Sequence, residues 1–157
     1  MDGLRAKLGQ CLGLPETLPK VKDCVLHCPD HPGPFPAVLY CHAHGGDHAL
    51  GRRELTDGAR WLSAPYLNDL VARGFAVLCI DMPGFGDRRS EGSESALSKA
   101  GLWQGRPLFG QMVAQQLAAL EWLAAQSQVD PKRIATLGTS MGGALAMWTA
   151  ALAPGVA

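Results

Sequence analysis

The chain has 157 residues, 47% of them hydrophobic and 18% charged, which is the size and make-up of one globular domain and excludes a disordered or collagen-like segment. Fourteen basic residues balance fourteen acidic ones, so no net field exists to hold a nucleic-acid backbone or an anionic membrane, and a small-molecule partner is expected. The five cysteines, Cys11, Cys24, Cys28, Cys41 and Cys79, are an odd number with two in apolar runs, the pattern of reduced thiols in a cytosolic protein.

The stretch from Met1 to Gln10 carries Asp2, Arg5 and Lys7 and lacks the apolar run of a signal peptide, which makes the cytoplasm the expected location. It is taken as part of a lead-in over 1–20, with the core of a single domain over 21–157. Val21 to Cys28 is a short apolar stretch that predicts a strand, and Pro29, Pro32, Pro34 and Pro36 after it predict a loop excluded from helix and central strand. Ala37 to Cys41 is a continuous apolar run ended by a His and Gly cluster, as in a strand buried on both faces. From Ser63 the period changes: Pro65 suits a first helical turn, Leu67, Leu70 and Val71 share a face, and Gly74 stops the helix.

Phe75 to Ile80 predicts a second buried strand, and Asp81-Met82-Pro83-Gly84-Phe85-Gly86-Asp87 then forces a loop. A polar, Gly-containing segment runs to about Arg106, after which Phe109, Val113, Leu117 and Leu120 repeat at helical spacing to about Gln126. Asp130-Pro131 turns the chain into a third strand, Ile134 to Leu137, and Met141 to Leu152 predicts the helix that follows. Ile134 to Ala157 is uncharged and meets the length of a membrane span, but Gly138, Thr139, Ser140, Gly142 and Gly143 interrupt it where a turn is wanted, so no membrane partner is expected. Strands alternating with helices give the fold class α/β, a mostly parallel sheet with helices on both faces.

Gly138-Thr139-Ser140-Met141-Gly142 is a G-x-S-x-G sequence placed between a predicted buried strand and a predicted helix. Small residues are required at both ends because a serine on so sharp a strand-to-helix turn brings its flanks against neighbouring backbone. Ser140 is therefore the candidate nucleophile, at the positive end of the helix dipole. A Gly-rich packing turn or a phosphate loop is the plain alternative, but no Lys follows and no second G-x-x-G spacing is present. Oxyanion donors are expected from the Met141 N–H and from the loop after the first buried strand, with His44 preferred there and Ala43 as its rival.

His42, His44, Asp47 and His48 also invite a metal reading, but two glycines separate His44 from Asp47 and make the spacing one residue too long for H-x-H-x-D-H. No metal and no cofactor are expected. Asp81-x-Pro-Gly-x-Gly lines the same sheet edge, either shaping the acyl pocket or, as is favoured, serving as turn chemistry with Asp81 as a cap. Arg52, Arg53, Glu54, Trp103, Arg106 and Phe109 are scattered residues that either face substrate or belong to surface and core.

With these residues in hand, the chain resembles the α/β-hydrolase superfamily, most of all its dienelactone hydrolase and acetyl xylan esterase-like branch. The segments AVLYCHAHGG, FAVLCIDMPGFGDR, LWQGRPLFGQMVAQQLAALEWL, VDPKRI and LGTSMGGALA carry the likeness, in that order, over most of residues 37 to 152. The resemblance implies hydrolysis of a carboxylic ester, lactone or thioester through an acyl-enzyme on Ser140, with no cofactor. It also implies a His base and an orienting Asp or Glu later in the chain than the serine. Residues 141–157 contain neither, and all five histidines precede Ser140, so the chain is expected to be the N-terminal, nucleophile-bearing portion of a C-terminally truncated α/β-hydrolase fold. Non-catalytic binding through an unpaired sheet edge is the rival expectation, and a metal-dependent hydrolase is the third.

Overall fold

The computed structural model of the protein describes residues 2–21 and 24–154. In chain order the elements are α1 (Asp2–Cys11), β1 (Leu26–His27), β2 (Phe35–Cys41), α2 (Glu54–Asp57), α3 (Leu67–Ala72), β3 (Ala76–Cys79), α4 (Glu94–Trp103), α5 (Leu108–Ala124), β4 (Val129–Gly138) and α6 (Met141–Leu152), with short 3-10 turns at Gly51–Arg53 and Gly86–Glu91. The strands form one sheet in the order β1-β3-β2-β4. β2 pairs in parallel with both β3 and β4, whereas β1 adds an antiparallel edge to β3. Because the chain leaves β2 for β3 and then crosses back to β4, the loops after β2 and β4 meet at a topological switch point, the place where open α/β sheets bind ligands.

Side chains alternate across the sheet and divide the core in two. Ala37, Leu39 and Cys41 of β2 and Ala76 and Leu78 of β3 face Met112 and Val113 of α5 and Leu145 of α6. Tyr40 of β2 and Val77 and Cys79 of β3 face the other way, onto Leu55 of α2 and Leu67, Leu70 and Val71 of α3. Both faces of the two inner strands are thus covered, which is why β2 and β3 are continuous apolar runs rather than alternating ones. Among the described residues β4 pairs with β2 alone, so its outer edge is open there, and Leu137 is exposed.

Helix α6 has the predicted bounds, and α3, α5 and β3 lie inside their predicted ranges with shorter or shifted ends. Three segments differ, the first being β4, which runs from Val129 to Gly138 where Ile134 to Leu137 was expected. The strand expected over Val21 to Cys28 is only Leu26–His27, and its residues 22–23 lie outside the described ones. β2 starts at Phe35 and so includes Pro36 in a central strand, against expectation. The ladder has an irregularity there: Phe35 pairs with Val129 and Ala37 with Ile134, so the proline sits opposite the Asp130-Pro131 excursion where no regular bond is missed. Within that excursion the Asp130 carboxylate accepts from the Lys132 N–H at 3.0 Å and from Arg133 Nε at 2.7 Å, the turn chemistry that was expected.

The lead-in and the polar segment before Arg106 both hold unpredicted helices. α1 lies against α6, where Arg5 Nε donates to the Ala151 carbonyl at 3.1 Å and so satisfies an acceptor in its last turn. α4 begins at Ser93, whose hydroxyl accepts the Ala96 N–H at 3.3 Å, with Glu94 in the first turn.

Candidate active site

Ser140 stands between the last residues of β4 and the first of α6 with φ 56 and ψ −121, making it the one non-glycine residue of positive φ among the described residues. A serine in that conformation is strained by about 1–3 kcal/mol, and its surroundings must hold it there. Two glycines do so. A Cβ at Gly138 would run into the backbone of Gly142 and the Cys41 carbonyl, and one at Gly142 into the carbonyls of Cys41 and His42. The G-x-S-x-G turn is therefore wedged against the end of β2, where Gly138 pairs with Cys41. The consequence is that Ser140 is lifted clear of the sheet and exposed. The Met141 N–H, at the first position of α6, precedes the first intrahelical donors, and no acceptor among the described residues takes it.

The loop after β2 is organised by buried polar groups. His42 is fully buried, with its Nδ1 2.9 Å from the Ala43 carbonyl, and its Nε2 accepts the Met82 N–H at 3.2 Å. Since Nε2 must be the acceptor, the hydrogen is on Nδ1 and the ring is neutral; burial pushes its pKa below the ordinary histidine value. The Ala43 N–H donates to both oxygens of the Glu54 carboxylate, at 3.1 and 3.2 Å, and the Tyr40 hydroxyl donates to the same carboxylate at 2.6 Å. Burial and this bond raise the Tyr40 pKa, keeping it a donor. Of the two rival donors, Ala43 is thus occupied, and no hydrogen-bond acceptor among the described residues takes the His44 N–H.

Asp81, nearly buried at the end of β3, holds the next stretch of this loop. It accepts the Arg52 N–H at 2.6 Å, the Arg52 guanidinium at 2.5 Å and the Asp87 N–H at 3.1 Å. Arg52 reaches on to Asp87 at 2.6 Å. Gly51 and Gly86, with φ of 50 and 51, pass so close to this carboxylate that a Cβ on either would overlap it. Asp81 is accordingly a turn-capping group with a built-in counter-ion.

The proposed metal set is not brought together. His42 has both ring nitrogens engaged, and Asp47 caps the Ala49 N–H at 3.0 Å. A residue absent from that set, Glu94 of α4, instead joins His44 and His48: its carboxylate lies 2.9 Å from His44 Nε2 and 3.5 Å from His48 Nε2. The three candidate ligand atoms lie within 4.8 Å of one another. The tautomer opposes a metal, however, because His44 Nδ1 accepts the Gly46 N–H at 3.1 Å, which places the ring hydrogen on Nε2, the atom facing Glu94. The arrangement fits a hydrogen-bonded His–Glu pair backed by Phe85, whose ring centroid is 5.3 Å from that of His44.

Of the scattered candidates, Arg52 and Glu54 belong to the networks above. Arg53 is turned outward to the Ala49 carbonyl and to Asp57. Phe109 packs on the main core, Trp103 is 93% exposed at the end of α4, and Arg106 lines a cavity with Pro83 and Gln111. Glu54 and Glu94 were the residues least visible in the sequence. Only the Ser93–Glu94 start of a helix signalled the latter, and nothing local signalled that the former is buried.

A profile of the alpha/beta hydrolase fold matches residues 36–156, and the chain belongs to that family. Within it the chain is similar to YtaP of Bacillus subtilis (strain 168), a provisionally named hydrolase, at 47% identity over 121 residues, covering 76% of this chain and 40% of the relative. Among solved structures it resembles a provisionally assigned acetyl xylan esterase of Bacteroides fragilis NCTC 9343, with 20% identity, a TM-score of 0.74, and 99% of this chain and 50% of that one covered. It also resembles a dienelactone hydrolase-like promiscuous phosphotriesterase from metagenomic libraries, at 27% identity and a TM-score of 0.54 over 81% of this chain and 47% of that one. The chain thus spans half or less of the length of these relatives. No helix among the described residues is long and apolar enough to cross a membrane.

Proposed function

We propose that Ser140 is the nucleophile of a hydrolase acting on small carboxylic esters through an acyl-enzyme. The observation that carries the reading is the positive φ of Ser140, held by two glycines jammed against the end of β2. Strain of this kind at a residue with an exposed hydroxyl has a use in placing the oxygen above the sheet, and no packing role requires it. The carbonyl carbon of the ester is attacked by Oγ, and the charge that develops on its oxygen is met by the Met141 N–H and the His44 N–H. The positive end of the α6 dipole adds to them. The ester relatives of the fold support the substrate class.

The base and its orienting acid are proposed to come from further polypeptide beyond residue 157. Within the chain, His42 and His44 each have both ring nitrogens occupied, and no acidic residue or histidine follows Ser140. The open edge of β4 is the natural place for further strands to add, since an unpaired parallel edge otherwise presents free N–H and C=O groups.

The test is hydrolysis of p-nitrophenyl acetate by the longest natural polypeptide that contains this chain, and by its Ser140→Ala variant. The variant is expected to lose about four to six orders of magnitude in kcat, the scale seen when the nucleophile of a serine triad is removed. A variant that retains the parent rate would overturn the reading.

A further inference from the structure

The fully buried carboxylate of Glu54 has no cation against it. Its partners are two neutral donors, the Tyr40 hydroxyl and the Ala43 N–H, and Glu54 takes part in none of the ion pairs among the described residues. Burying a carboxylate on neutral donors alone is costly, and a leucine would fill the same space without that cost. What a leucine cannot do is accept a backbone N–H from the loop.

We infer that Glu54 is the positioning residue of the oxyanion loop, fixing the Ala43 peptide so that the following N–H, that of His44, is the one left for the substrate oxygen. This rests on the serine-hydrolase reading above. Three connections make Glu54 rigid enough for the task. Tyr40 anchors its carboxylate to β2, the strand from which the loop departs. Two residues before it, the Arg52 N–H and guanidinium are tied to Asp81 at the end of β3. The loop's other flank is held by His42, which accepts the Met82 N–H three residues beyond β3. Residues 42 and 43 are thus clamped between two strands by side chains, and the peptide that follows inherits its direction.

The role is readable as a split between kcat and KM, because a donor aimed at the developing charge acts in the transition state and scarcely in substrate binding. In the same full-length polypeptide, Glu54→Leu is expected to lower kcat for p-nitrophenyl acetate by about 10- to 100-fold with KM within about threefold, somewhat less than outright removal of a donor. Glu54→Gln should stay within about fivefold of the parent, since its carbonyl still accepts the Ala43 N–H and its amide can donate to the Tyr40 oxygen. A folded Glu54→Leu protein with the parent kcat overturns the inference, and so does a folded Glu54→Gln protein that falls as far as the leucine variant. Should the leucine variant fail to fold, Tyr40→Phe decides: a drop in kcat of about three- to tenfold supports the assignment, and an unchanged kcat overturns it. Ser140→Ala measured alongside separates the two levels, because a Ser140→Ala protein with full activity removes the serine reading whatever the Glu54 variants do.

Discussion

The turn at Ser140 and the loop from His42 to Glu54 sit side by side at the carboxyl edge of the sheet, yet they are held in place by opposite means. The turn is a matter of backbone against backbone: Gly138 and Gly142 touch the end of β2, and the side chains there contribute nothing beyond being absent. The loop depends on buried polar side chains, His42, Glu54 and Asp81, that reach across to Met82, Ala43 and Arg52. Both devices fix the backbone at the carboxyl edge of the sheet. The first is insensitive to charge; the second is vulnerable to any change of protonation or pairing.

That contrast can be broken from either side. The largest effect on stability is expected from Asp81→Ala, which leaves the Arg52 guanidinium with Asp87 alone and strands two backbone donors; about 3 kcal/mol should be lost in urea unfolding. Asp81→Asn, which keeps one of the two acceptor oxygens, should lose less. Next comes Gly142→Ala, whose new methyl must displace the end of β2: overpacking of this sort costs about 1–3 kcal/mol, and because nothing ionic is touched the loss should be the same at low and high salt. A Gly142→Ala protein as stable as its parent would mean that the turn is not wedged as described.

The smallest effect is one of pH and belongs to the loop alone. Burial depresses the folded-state pKa of His42, so at moderately acid pH the unfolded chain takes up a proton that the folded one refuses. The stabilisation is whole above the unfolded value of about 6.5 and is lost as pH falls below it towards the folded value, with a slope of at most about 1.4 kcal/mol per pH unit. Unfolding free energies measured from pH 7 to pH 5, with His42→Gln as reference, should show this slope in the parent and a shallower one in the variant. Equal slopes would place the acid sensitivity elsewhere.

The same contrast governs what could be read from the sequence. The Ser140 turn was legible because its requirements are local: a buried strand, two glycines at fixed spacing and a helix that starts at once, so α6 was predicted from Met141 to Leu152 and has those bounds. The strands β2 and β3 were legible as apolar runs. Glu54 was visible only as one of several scattered candidates, because Arg52-Arg53-Glu54 is a charged tripeptide whose first and third members turn inward only once β2 and β3 are in place. Glu94 escaped notice for a related reason: its partners are 46 and 50 residues away, on the other side of a strand and a turn. Pro36 misled because the rule against proline in a central strand assumes an unbroken ladder, and β4 breaks its register opposite that residue. α1, with Gly3 and Gly9 and few apolar residues, has weak helical character of its own; it is held from outside, by α6.

The tie between Arg5 and the Ala151 carbonyl spans 146 positions of the chain. A segment of low intrinsic helicity that docks on α6 has no reason to order early, since the loop-closure entropy of so distant a contact has to be met before the contact returns anything. Amide protons in α1 should therefore exchange with solvent well before those of β2 and β3 do.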